Sequence, residues 1–495
     1  MPTASPFTPV DWVVLVVYLL AMVAIGLHFQ RKVTSARSFF VADEKVNQWL
    51  VGLSLLGTYL SAVTMLGLPF LAFGPDNWLW AIQPPFLIIT ALVITKYVLP
   101  AYREAGVLSV YEYLEQKIHV SSRYLAALTF VTLGVGRMGL GLYLPAKAFS
   151  IITGFDLLTV IIVMGVVVTL YTVLGGIEAV IWIDSIQVIV FTGAALLSLG
   201  LAIGVVGADL FPIALQNNKF DMWEGGMELA KLTSIWLILQ TVFETIRIYG
   251  TQQDMTQRYV TAGSTAEANR SVWISIIGYI PLAFLFYFLG TVLFVYYTVH
   301  PDPNMPNNDT LYPYFVATRL PVGLVGLVMA GIFAAAMSTI SSLMNSVTTV
   351  CITDFWQRLL GRTLPAAREL LAVRGLALFW GVIHIILAWW FAQSGEDVVR
   401  LWNRLMGIAA NGVLGLMALA FLRRRLRPAA PVIGFVAAYV CLWIMTRNEQ
   451  HIHFLLRPVV CNLVCFIVGV LVDAVWPVNP DFPPAWEEQA DEDQA

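Results

Sequence analysis

Apolar residues run through this chain in stretches of about 20, the length that crosses a hydrocarbon layer as an α-helix. They lie near 10–29, 47–73, 77–100, 124–152, 157–174, 180–206, 231–250, 271–299, 320–350, 372–392, 402–422, 429–446 and 453–474, with short polar segments between them. The pattern predicts an all-α membrane protein with thirteen transmembrane helices. Two stretches depart from plain apolarity. The second, LVGLSLLGTYLSAVTMLGLPF, carries Gly52, Ser54, Gly57, Thr58, Ser61, Thr64, Gly67 and Pro69. Small and hydroxylated residues at that density suit either close helix packing or a broken helix whose freed carbonyls hold a cation at mid-membrane. The ninth, GIFAAAMSTISSLMNSVTTV, sets Ser338, Ser341, Ser342 and Asn345 on one helical face. Their oxygens are either hard ligands for a hard cation or partners of the carbonyls one turn back.

Composition sharpens the class without changing it. Of 495 residues 59% are hydrophobic and 12% charged, and a mean hydropathy of +0.77 exceeds what a water-soluble core requires. Cys351, Cys441, Cys461 and Cys465 stand in or beside apolar stretches without metal-ligand spacing, which fits small buried hydrophobes. A net charge of −3 and no basic stripe exclude nucleic acid as a partner. The first apolar stretch has no positive flank and no small-residue cleavage site, so it reads as a retained helix. Lys and Arg divide eighteen to six between alternate loops, a bias that places the N-terminus outside and the C-terminus in the cytoplasm. The last residues, AWEEQADEDQA, read as a solvated acidic tail.

Arg137, within LTFVTLGVGRMGLGLYLPAKAF, carries the sharpest chemical signal. A guanidinium at mid-membrane costs at least about 2.5–3.5 kcal/mol, so it implies a bound anion, a carboxylate partner or a water-filled path. Asp184 adds a carboxylate in an apolar context, either on an ion path or paired with Arg137. Gln83, beside a Pro-Pro pair, either ties a helix kink or joins Ser61 and Thr64 as the convergent polar groups that a polyhydroxylated acid needs. An enzyme is not expected. Neither an HExxH helix nor a GxSxG elbow occurs, and none of His28, His119, His300, His384, His451 and His453 joins an acid in a catalytic motif.

The runs WLVGLSLLGTYLSAVT, LSVYEYLEQKI with SSRYLAAL, TLYTVLGGIEAVIWIDSIQ, GTQQDMTQRYVTAG and GIFAAAMSTISSLMNSV resemble the sodium/solute symporter family from the first helix to about residue 425. The resemblance implies a LeuT-type core of two inverted five-helix repeats, at 47–206 and 207–425. An extra helix and loop at 1–46, two helices at 426–475 and the tail at 476–495 complete the chain. It implies a first sodium site from the carbonyls of Gly57, Leu60 and Ala335 and the hydroxyls of Ser338 and Thr339, and a second from Asp184, Ser338, Ser341 and Ser342. Two sodium ions would then accompany each substrate. Within the family the motifs are most similar to bacterial sialic acid transporters, which implies that Arg137 meets the substrate carboxylate and that Ser61, Thr64 and Gln83 meet the sugar. Tyr59 and Ala62 stand where that subgroup has small hydroxyl residues, and a phenol at 59 favours a smaller monocarboxylate or another organic solute as the alternative cargo. A transporter-like sodium channel or sensor is the further alternative. The expected setting is the inner membrane of a bacterium, and the expected form a monomer.

Overall fold

The computed structural model describes residues 7–306, 308, 310–362, 365–394, 411–422 and 426–475. All named elements among them are helices; the one β-type contact is an isolated bridge between Val46 and Ala262. The chain runs through α1 (Pro9–Gln30), α2 (Gln48–Tyr59), α3 (Ala62–Phe73), α4 (Leu79–Ala105), α5 (Val110–Lys117), α6 (Val120–Thr153), α7 (Leu157–Val206), α8 (Leu210–Gln216) and α9 (Ser234–Thr251). It continues through α10 (Gln253–Thr261), α11 (Thr265–Val299), α12 (Leu311–Arg319), α13 (Leu324–Val350), α14 (Ala366–Gln393), α15 (Val413–Leu422), α16 (Ala429–Arg447) and α17 (Leu456–Val475). A helix lies at each apolar stretch read from the sequence. Residues 402–410 of the eleventh stretch and the acidic tail lie outside the described residues. Among the described residues nine helices are long and apolar enough to cross a membrane, or ten if the bent pair α2 and α3 is one span.

The fifth and sixth stretches join in α7, which turns at Gly176. There φ is +60°, and a Cβ would stand 3.1 Å from the Phe39 carbonyl oxygen, so glycine alone fits both the backbone and the space. Helix α13 forms the centre of the bundle, packed against α1, α6 and α7. Of its apolar window 89% is buried, against 22% in α14, whose Leu378, Phe379, Val382, Ile386 and Trp390 face outward as lipid-facing side chains do.

Of the two polar stretches, the ninth is the continuous helix α13 and the second is broken; another break lies at Gln252. Between α2 and α3 the backbone opens at Leu60 (ψ 137°) and Ser61 (ψ 172°), and the two halves differ in direction by 56°. The Ser61 amide, which would have closed a turn onto Gly57, instead donates to Thr64 Oγ1 at 3.4 Å. The second break, at Gln252 (ψ 130°), separates α9 from α10 and had no counterpart in the sequence reading. Its freed carbonyls have dedicated donors. Tyr102 serves Gly250, Tyr111 serves Thr251 at 3.1 Å and Tyr259 serves Tyr249 at 2.9 Å.

Three arginines counted as loop charges in the sequence are buried. Arg247 forks onto Glu244 at 2.5 and 2.8 Å, Arg123 lies between Glu115 and Asp354, and Arg258 is fully enclosed. Their burial weakens the charge count on that side of the membrane but does not reverse its sign.

Candidate functional site

The break after α2 exposes carbonyls that α13 meets with hydroxyls. Ser338 Oγ lies 3.0 Å from the Gly57 oxygen and 3.2 Å from that of Ala335. Thr339 Oγ1 lies 3.4 Å from the oxygens of Leu60 and Ala335. All the atoms assigned to the first sodium site therefore converge. Five oxygens share only two hydroxyl protons, so lone pairs are in surplus, and a hard cation is the partner such a ring suits.

Asp184, on α7, is fully buried and lies against Gly57, where an added Cβ would stand 3.5 Å from the Asp184 Cβ. Its Oδ2 accepts from Ser54 at 2.7 Å and from Ser342 at 3.4 Å. Of the residues read as the second sodium site, Ser342 thus reaches the carboxylate, while Ser341 donates to the Ser338 carbonyl at 3.2 Å and Ser338 turns to the first ring. The salt bridge weighed for Asp184 falls elsewhere: its partner is Arg258, 2.8 Å away, and not Arg137. Arg258 sits on α10 and donates also to Ser54 at 2.7 Å and Ser342 at 2.5 Å. Asn345 and Ser346, next on the same helix, bond the Gln257 amide, so the hydroxyl face of α13 serves three different tasks along its length.

Arg137 is 9% exposed, and its Nη1 donates to Gln252 Oε1 at 3.0 Å and stands 3.8 Å from Asp254 Oδ2. Both residues belong to the second break, so the guanidinium looks from α6 into the gap between α9 and α10. Close by, α6 packs tightly on α14. A Cβ on Gly139 would come within 2.7 Å of Leu387 on α14. Ser61, Ala62, Arg137, Leu140, Gly141, Ala336 and Thr339 line a cavity of about 10 Å³, room for one water. Ser61, expected from the sequence to meet substrate, and Thr339 of the oxygen ring thus share one wall.

The remaining candidates lie around it without lining it. Gln83 donates to Gln240 Oε1 at 3.0 Å and ties α4 to α9. Thr64 caps the break. Tyr59 packs edge-on against Tyr279 at 4.7 Å and tilted against Tyr249 at 5.6 Å, so its ring belongs to an aromatic cluster between α2, α9 and α11. At the far end of α3, Lys219 donates to the carbonyls of Phe73 and Gly74 at 2.8 Å each and completes that helix terminus with positive charge; its burial pushes the ammonium down to about 8.

Sequence reasoning missed Gln252, Asp254 and Arg258. All three lie in the run GTQQDMTQRYVTAG, which stood out as a motif, but its charges read as a solvated loop.

Residues 39–437 match the Sodium:solute symporter family. The sodium/sialic acid symporter NanT of Aliivibrio fischeri is 28% identical over 96% of this chain and 95% of its own length, and SiaT of Proteus mirabilis is 28% identical over 98% of each. A Na+-coupled sialic acid symporter, solved substrate-bound and outward-open with a novel Na+ site, superposes with a TM-score of 0.87 at 26% identity, covering 97% of this chain and 99% of that one. These relatives are transporters with sodium as the coupling ion, not enzymes, and this multi-pass chain belongs to the sodium:solute symporter family.

Proposed function

We propose that this protein imports an acidic sugar of the sialic acid class together with two sodium ions by alternating access. The observation that carries the reading is the convergence of Gly57, Leu60, Ala335, Ser338 and Thr339 into an oxygen ring that shares a wall with the Arg137 cavity. A cation in that ring fixes the break after α2, and that break bears Ser61, so the ion and the substrate act on one backbone segment. Arg137 offers a planar fork matched to a carboxylate, and Ser61, Thr64 and Gln83 offer hydroxyl and amide partners to the sugar. Asp184 with Ser338, Ser341 and Ser342 takes the second ion. The names of NanT and SiaT support the cargo, and Tyr59 packs into its aromatic cluster rather than lining the Arg137 cavity.

The thirteen spans divide, on this reading, into an extra N-terminal helix, two inverted repeats of five and two C-terminal helices. The breaks α2/α3 and α9/α10 open the first span of each repeat, which supports the repeat boundaries at 47–206 and 207–425. The N-terminus faces outward, the C-terminus faces the cytoplasm, and the setting is the bacterial inner membrane. A cavity of about 10 Å³ cannot hold the substrate, so α3 and α9 must part from α6 to admit it. Each ion moving down 100 mV contributes about 2.3 kcal/mol, and two ions with a monoanion carry one net positive charge inward.

The test is uptake of labelled N-acetylneuraminate into proteoliposomes under an inward sodium gradient with a potassium control. The expected result is accumulation that requires sodium, rises with its concentration at a Hill slope above one and grows with an inside-negative potential. Equal uptake in sodium and potassium would overturn the reading.

A further inference from the structure

Helix α10 presents two opposite charges to two different sites. Asp254 and Arg258 are four residues apart, hence on one face, and both are fully buried. Asp254 points its carboxylate at Arg137, 3.8 Å away. Arg258 places its guanidinium against Asp184 and Ser342, at 2.8 and 2.5 Å, which are the groups proposed above for the second sodium. We propose that α10 is a built-in occupant of both sites. Asp254 stands where the substrate carboxylate binds, Arg258 stands where the second cation binds, and the two ligands together release α10 from the bundle. This rests on the function proposed above and says how ion and substrate are coupled.

The geometry favours exchange over permanent pairing at one end and tight holding at the other. Neither oxygen of the Asp254 carboxylate accepts a hydrogen bond among the described residues, nor does Nε of Arg137 donate one. Arg137 keeps one hydrogen bond, to Gln252, beside its long ionic contact to Asp254, so the rest of its fork is open to an incoming carboxylate. At Asp184 the arginine is held by Ser54, Ser342 and the carboxylate, yet Asp184 Oδ1 accepts no hydrogen bond from the described residues and keeps a lone pair for a cation.

Charge then decides the order of events. Substrate alone at Arg137 strands the Asp254 carboxylate, and sodium alone at Asp184 strands the Arg258 guanidinium. Either orphan in a dry interior carries a penalty of several kcal/mol. When both ligands bind, the two displaced side chains neutralise each other across one helical turn. Arg258 already donates to the Asp254 backbone carbonyl, so the movement needed is short. Each ligand therefore strengthens the other, and the effect must be reciprocal. Because Arg258 also ties α10 to α2, α7 and α13 through Ser54, Asp184 and Ser342, its release unlocks the face of the bundle that α10 closes.

Binding of N-acetylneuraminate to the purified full-length protein, titrated at low and high sodium with choline as replacement, tests this. In the wild type sodium should tighten substrate binding by at least about fivefold, the lower bound of ordinary coupling. Arg258→Gln should move half-saturation by sodium to lower concentration, because the competing cation is gone. Asp254→Asn should tighten substrate binding at low sodium and shrink its sodium dependence. A purely structural role would weaken both ligands in both variants, and that outcome, or unchanged constants, overturns the inference. Arg258→Lys keeps the charge without the fork and should shift sodium half-saturation in the same direction but less; it decides the matter if Arg258→Gln fails to fold. Wild-type protein that binds no N-acetylneuraminate in sodium would instead overturn the function proposed above.

Discussion

The two groups proposed to hold sodium lie one helical turn apart along α13, at Ser338 and Ser342, and are built on opposite principles. The ring of Gly57, Leu60, Ala335, Ser338 and Thr339 consists of neutral oxygens, and among the described residues no charged side chain bonds to them. The cradle at Asp184 contains a full negative charge, and Arg258 answers it at 2.8 Å. A neutral ring tolerates being without a cation, because hydroxyls and carbonyls partly satisfy one another. A buried carboxylate does not, since an unpaired charge in a low-dielectric interior is far more costly than an unpaired carbonyl. A site built on neutral oxygens can therefore be filled independently, whereas one built on a carboxylate must exchange one cation for another.

The largest effect should come from breaking the charged cradle. Asp184→Asn leaves Arg258 buried without a counter-charge and should lower the unfolding free energy in mixed micelles by about 3–5 kcal/mol. Asp184→Asn combined with Arg258→Gln should recover most of that loss. A single variant as stable as wild type would show that the pair is not the buried unit described. Next in size is Arg137→Lys, which keeps a positive charge but loses the carboxylate fork. Affinity for N-acetylneuraminate should fall about 10- to 100-fold, with sodium binding retained, and unchanged uptake would remove Arg137 from the substrate site.

Ser338→Ala probes the neutral ring. Stability should change by about 1 kcal/mol or less, while the sodium concentration for half-maximal uptake rises about tenfold, the reverse of the pattern at Asp184. Equal sodium activation in the variant and wild type would show that the ring does not bind the ion. The smallest effect belongs to the far end of α3. Lys219→Met removes the charge that completes that helix terminus and should cost about 0.3–1 kcal/mol in thermal unfolding, with substrate and sodium constants unmoved.

Much of the neutral ring was legible in the sequence, and so were Asp184 and Ser342 of the charged cradle, but not Arg258. The break after α2 announces itself through Gly57, Ser61 and Thr64 inside an apolar stretch, and the ring's hydroxyls, Ser338 and Thr339, begin the hydroxyl-rich run of α13. Arg137 is conspicuous because it is flanked by apolar residues on both sides. The second break at Gln252 has no proline and only Gly250 beside it, and tyrosines on α4, α5 and α10 satisfy its carbonyls, so little local signal marks it. Arg258 and Asp254 sit just past the end of an apolar stretch, where charge normally means a solvated loop. Only the tertiary fold, which carries α10 back beneath α2 and α13, shows that they are enclosed. The helix positions, set by stretch length, were read closely. The α7 turn at Gly176 was expected as a short loop and is a single left-handed residue.

The most direct measurement is the reversal potential of sodium-driven N-acetylneuraminate flux in proteoliposomes, compared between wild type and the Asp184→Asn/Arg258→Gln pair. Two sodium ions per substrate in the wild type and one in the paired variant is the expected result. A ratio of one in the wild type, or the same ratio in both proteins, would contradict the existence of two differently built cation sites.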